Sequence, residues 1–186
     1  MNIYFTYQSD IIFLMENYNI RKAKIEDTQG VATAHVKAWQ YNYRGQMPDN
    51  FLDKLSVKKR AEKWKEIFSN PKTNQNTFIA ESNSKILGFC NVGPSRDDSA
   101  PNNVGELYGI YLDPRIQGQG IGSALMETGL NFLRELGFTK ATLWVLKTNN
   151  SAISFYKAKG WKSDGQEKKD KMDDFNIEEV RYYINL

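Results

Sequence analysis

Gln117-Gly-Gln-Gly120-Ile-Gly122 is the run whose residue types and spacing point most directly to chemistry. It follows a strand-like segment, Glu106 to Leu112, and opens a helical one, Ile121 to Leu136. Glycines at such a junction let several backbone N–H groups point outward together, and the start of a helix adds roughly half a positive charge. A pyrophosphate is the natural guest of that arrangement, although the same glycines would also serve a plain chain reversal. Spacing removes two better-known phosphate loops. No Gly-Lys-Ser or Gly-Lys-Thr occurs, so the nucleoside-triphosphate loop is excluded. The dinucleotide fingerprint needs a third glycine three residues after the second, and counted from Gly118 and Gly120 that position is Ser123. Its acidic ribose ligand would fall near Lys140, a residue of the wrong charge.

The spacing that fits is Gln-x-x-Gly-x-Gly, carried by Gln117, Gly120 and Gly122. Downstream lies Asn149-Asn-Ser-Ala152-Ile-Ser-Phe-Tyr156-Lys-Ala-Lys-Gly160-Trp161, and upstream Glu106-Leu-Tyr-Gly-Ile-Tyr-Leu-Asp-Pro114. With these motifs in this order the chain resembles the GNAT superfamily of acyl-CoA-dependent N-acetyltransferases, over roughly residues 18–186. The resemblance implies an α/β (α+β) fold. Its centre is a mixed, mostly antiparallel twisted sheet of about seven strands, flanked by about four helices and splayed between strands four and five. It also implies acetyl-CoA as cosubstrate, no metal, and direct attack of an amine in a ternary complex.

Acetyl transfer needs a neutral amine, a donor for the negative charge on the thioester oxygen, and a proton for the departing thiolate. By resemblance, the backbone of Gln117, Gly118, Gln119, Gly120, Ile121, Gly122 and Ser123 holds the pyrophosphate. Ile110, Tyr111 and Leu112 offer backbone groups to the pantetheine arm, with the Ile110 N–H facing the thioester oxygen. Gly109, a glycine inside a strand pattern, independently suggests a bulge or a close backbone approach. Tyr156 matches the tyrosine that protonates the thiolate in many members; a packing aromatic is the other reading. Asn149 would bond the pantetheine amide, and could equally cap the following helix. Glu106 matches a strand-four glutamate that some members use as general base through water; a salt-bridged strand residue fits as well. Trp144 and Trp161 read as core residues. Trp39 to Pro48 would line the acceptor side, where Tyr41, Tyr43 and Arg44 either recognise a small molecule or simply build a loop. The Tyr-Arg-Gly-x-Met-Pro stretch resembles a bacterial subgroup of varied substrates, some of them polyamines.

Composition agrees with one globular domain. The chain has 186 residues, 40% hydrophobic and 25% charged, enough for a substantial core. A net charge of +3 with scattered lysines gives no basic stripe for nucleic acid. Cys90 has no second cysteine with which to form an internal disulfide, which fits a reducing compartment and a cytoplasmic protein. One histidine, His35, cannot assemble a metal site with one cysteine and reads as packing or surface. Residues 1–14 read as an N-terminal extension to a domain over 15–186. They lack a basic start or a small-residue cleavage site, so neither a secretory signal nor a membrane span is expected. The expected partner is a small-molecule primary amine, with the protein a monomer or homodimer. A protein amine as acceptor, or a non-catalytic CoA-binding module, are the alternatives.

The elements that must position these residues follow from periodicity. Strands are expected at 18–25, 76–82, 85–94, 104–112, 141–146, 161–166 and 177–185. Helices are expected at 26–39, 49–55, 57–68, 121–136 and 150–159. Glu167 to Asn176 is charged enough to read as a solvated hairpin loop.

Overall fold

The computed structural model describes residues 18–186; the expected extension over 1–14 lies outside them. Seven strands form one sheet in the order β1-β2-β3-β4-β5-β7-β6. They are β1 (Asn19–Lys22), β2 (Asn76–Ser82), β3 (Lys85–Pro94), β4 (Val104–Leu112), β5 (Lys140–Leu146), β6 (Lys162–Met172) and β7 (Phe175–Asn185). Five α-helices flank it: α1 (Thr28–Asn42), α2 (Asp49–Asp53), α3 (Val57–Ser69), α4 (Ile121–Glu135) and α5 (Asn150–Ala158). Every neighbouring pair is antiparallel except β4 with β5, whose parallel pairing requires a crossover, supplied by α4. The mixed, mostly antiparallel sheet is the expected one.

Alternation along the strands explains why both faces are covered. On β2 and β3, Phe78, Ala80, Cys90 and Val92 turn to one core with Leu125, Met126 and Leu133 of α4. Ile79 and Phe89, one position out of phase, turn to the other with Val31, Ala34 and Trp64 from α1 and α3. The β2–β3 turn is the expected Asn83-Ser84, both at positive φ (49° and 61°), the geometry that joins strands with the correct twist. His35 is buried in the second core, ringed by Trp39, Trp64, Phe89 and Tyr111, with Nδ1 accepting from Trp64 Nε1 at 3.2 Å.

Two features of the sheet make the site. β4 pairs with β5 only at Val104, Gly105 and Glu106; from Leu107 onward the strands part, and this is the expected splay. Opposite the parting, Gly109 faces Asn91 and Leu107 faces Val92, leaving Tyr108 as the extra residue of a bulge. The bulge anticipated from Gly109 is therefore present.

One expectation fails. Glu167 to Asn176 is not a solvated loop: β6 and β7 run through it to a tight turn at Asp173 and Asp174. Charged side chains hold the ladder together, with Lys168 opposite Glu179 and Lys169 opposite Glu178. Their ammonium–carboxylate distances are 3.1 and 2.8 Å. At its tip Met172 and Phe175 pack with Met47, Leu52 and Ile177. High charge hid the strands because opposite charges alternate across the pair rather than facing water alone.

Candidate active site

The splay opens a cavity of about 1280 Å³ whose lining extends from the glycine turn at the start of α4 to residues of β5, β6 and β7. At its α4 end the turn is shaped by Gly118 and Gly120, at φ +79° and +82°. These left-handed conformations are strained for any residue with a Cβ. A Cβ at either position would meet nothing within 4 Å, so the glycines answer to backbone conformation and leave open space beside the turn. The first helical bond of α4 is Ala124 N–H to Gly120 O, 3.1 Å. The N–H groups of Ile121, Gly122 and Ser123 thus precede the helical ladder and remain available at its positive end. A large anion fits here on three counts: free donors, a favourable dipole and unfilled volume.

Gln117, Gly118, Gly120, Gly122 and Ser123 line the cavity; Ile121 instead sends its side chain into the core, and Gln119 stays exposed outside the wall. Gln117 Nε2 donates to Asn42 Oδ1 at 3.0 Å, and Thr148 Oγ1 to Gln46 Oε1 at 3.0 Å. These two bonds tie the end of α1 and its loop across the mouth of the cavity. Ile110, Tyr111 and Leu112 form the wall along the parted stretch of β4, whose backbone has no β5 partner there. Asn149 lines the cavity and also caps α5, its Oδ1 accepting from Ala152 N–H at 3.1 Å. The cap is thus present, and it uses the oxygen while leaving the amide NH₂ unused.

Tyr156 lines the cavity from α5, its ring edge-on to Phe155 and Trp161. Burial pushes its phenol well above the ordinary range, so the hydroxyl keeps its proton at neutral pH. Tyr43 and Tyr111 stand next along the wall, and burial raises both phenols in the same way. Tyr108 bonds to Pro94 O at 2.7 Å through its hydroxyl, and burial pushes it up to about 12.

Glu106 is brought close to this region but not into it. Its carboxylate is wholly buried, and it accepts from the Arg96 backbone N–H at 2.7 Å, from Arg96 Nε at 3.0 Å and from Arg96 Nη2. Arg96 forms the wall instead, its guanidinium 4.4 Å from the centre of the Tyr108 ring. Of the expected acceptor residues, Tyr41 and Tyr43 line the cavity. Arg44 does not: it is turned outward to Asp49 and Asp53, at 3.1 and 2.8 Å. Helix α2 places those two carboxylates within its reach, and Arg44 forms ion pairs with both.

Sequence reasoning missed the far wall. Trp144, expected in the core, lines the cavity, held by Nε1 donating to Asp97 Oδ1 at 2.9 Å; Trp161 is core, as expected. Lys168, Asp170 and Glu179 also line this end. Nothing in their spacing marked them, because they reach the site only through the β6–β7 pairing.

Among the described residues no group of three metal-ligating side chains gathers, and no helix is long and apolar enough to cross a membrane. The sequence profile of the Acetyltransferase (GNAT) family matches residues 36–161. An uncharacterised N-acetyltransferase of Bacillus subtilis strain 168, YuaI, is 36% identical over 140 residues, which is 75% of this chain and 77% of that protein. A mycothiol acetyltransferase of Geodermatophilus obscurus is 37% identical over 86 residues, 45% of this chain but only 28% of that enzyme. Among solved structures, the PaiA N-acetyltransferase of Thermoplasma acidophilum in complex with coenzyme A superposes with a TM-score of 0.70 at 20% identity. That superposition covers 91% of this chain and 99% of that one, and it speaks to the fold.

Proposed function

We propose, for a chain that belongs to the GNAT family and is therefore an acetyl-CoA-dependent N-acetyltransferase, that the acceptor is a primary amine of a small molecule, acetylated by direct attack in a ternary complex. The observation that carries this reading is one continuous cavity whose lining includes the glycine turn, Tyr156 and an aromatic and carboxylate wall. One cavity of about 1280 Å³ lined by both sets of groups has room for two ligands at once, which suits direct transfer. A diamine or polyamine suits the far wall. When bound, acetyl-CoA supplies an activated acyl group and a thiolate leaving group.

The chain's own residues would act as follows. The N–H groups at the start of α4 hold the pyrophosphate, and Gln117 and Ser123 complete that rim. Backbone groups of Ile110, Tyr111 and Leu112 fix the extended arm in the gap where β5 would otherwise pair, with the Asn149 amide alongside. An N–H there, aimed at the thioester oxygen, would stabilise developing charge; one such donor is typically worth about 10²–10³ in rate. Tyr156 holds the proton for the thiolate. Its raised pKa is no obstacle to that role, since the burial that discourages phenolate discourages thiolate as well. Tyr43 and Tyr41 would contact the acceptor. Glu106, bound to Arg96 behind the wall, supports the reading in which it positions that arginine rather than meeting the amine. Initial-rate kinetics with both substrates varied test the order of events. Intersecting double-reciprocal lines are expected; parallel lines would mean a covalent acetyl-enzyme and overturn direct attack.

A further inference from the structure

The carboxylates that line the cavity are Asp170 and Glu179, both on the β6–β7 hairpin; Glu106 is not in the wall. Glu179 is mostly covered, its side chain 18% exposed. It lines the same cavity as Tyr43, Tyr111 and Arg96, which come from other parts of the chain. It is thus aimed inward, and it already holds a cation. Lys168 Nζ lies 3.1 Å from Glu179 and 3.0 Å from Asp170, and 4.6 Å from the centre of the Trp144 ring. An ammonium between a carboxylate and an aromatic face is the arrangement by which proteins bind alkylammonium ligands. Of the other cations near this end, Arg96 is committed to Glu106 and Arg181 to Asp97 and Asp164, while Lys171 lines the cavity beside Asp170.

We propose that Glu179 is the group that receives an ammonium of the acceptor, and that Lys168 is a resident cation which the acceptor displaces from it. This rests on the amine-acceptor reading and narrows it to acceptors carrying positive charge when they bind. Lys168 can give way at little cost. It is about one-third exposed and it keeps Asp170 as a partner when it leaves Glu179. Met172, Ile177 and Trp144 would then contact the acceptor's apolar body.

The two members of this ion pair should respond in opposite directions, which a merely structural pair would not do. With CoA-loaded protein, calorimetry measures affinity for 1,4-diaminobutane and spermidine in wild type, Glu179→Gln and Lys168→Met. Glu179→Gln should weaken binding about 10- to 100-fold, the effect of losing a charge-assisted hydrogen bond. Lys168→Met should tighten it severalfold, with CoA affinity unchanged in both variants as the control for folding. Wild type that binds neither amine, affinity indifferent to Glu179→Gln, or weakening in both variants would each overturn the assignment. The opposed pattern without any thiol release from acetyl-CoA would uphold Glu179 while contradicting transfer to these amines. Amine-dependent release indifferent to Glu179→Gln would do the reverse.

Discussion

Tyr156→Phe removes one oxygen and leaves the ring packed against Phe155 and Trp161. If that oxygen holds the thiolate's proton, single-turnover rates should fall by about 10²–10⁴ while CoA affinity stays near wild type. A wild-type rate would assign the proton to water. Glu106 calls for a different readout. Its carboxylate is engaged by Arg96 from both backbone and side chain, so Glu106→Gln should lower thermal stability and leave the shape of the pH–rate profile unchanged. A profile whose acid limb moves in that variant would restore Glu106 as the base. His35 gives the clearest pH signature of the fold itself. Burial, helped by the nearby charge of Arg60, holds its pKa near 3 against an ordinary 6.5. Below about 6.5 the unfolded chain takes up a proton that the folded chain refuses, so stability should fall as pH drops through that window towards 3. His35 is the chain's one histidine, and its contribution to the slope between about pH 6.5 and 5 approaches about 1.4 kcal/mol per unit. Urea midpoints at several pH values should show that slope flattened in His35→Gln, which keeps an acceptor for Trp64. An unchanged slope would mean that the imidazole is protonated within the core.

At the level of elements, the glycine turn is the most exposed to test. Gly120 is the N-cap of α4 at φ +82°, and a β-branched residue there must abandon the left-handed conformation. Gly120→Val should therefore turn the N–H groups away from the anion and reduce CoA affinity by at least about tenfold, while circular dichroism stays that of a folded domain. Unchanged affinity in the folded variant would remove this turn from the cosubstrate site. The turn was legible in the sequence because its conformation demands a particular residue type. So were β2 and β3, whose alternation matches two buried faces, and the bulge opposite Asn91, which Gly109 announced. The β6–β7 hairpin was not legible beyond its ends. Its strands are held by Lys168–Glu179 and Lys169–Glu178, pairs made across the chain, and a run of lysines and aspartates looks the same whether it is solvated or paired. Lys168, Asp170 and Glu179 lay on that hairpin, so that part of the cavity wall stayed hidden with it. The ion pairs of Arg44 were hidden for a related reason: its partners Asp49 and Asp53 come from a short helix whose orientation only the fold reveals.

Across the whole molecule, the two ends of the cavity belong to different parts of the chain. The turn at 117–122 and α5 build one, the loop after α1 and the β5–β7–β6 half of the sheet build the other. They are joined only because β4 and β5 pair for three residues and then separate. The proposed use of this architecture is to bring two ligands together at the parting, the second of them an amine. The direct measurement is thiol release from acetyl-CoA by the wild-type protein across a panel of small primary amines, with each product identified by mass. The account predicts release that depends on certain amines and matches N-acetylated product mole for mole. Tight CoA binding with no amine raising thiol release above the buffer rate would contradict it.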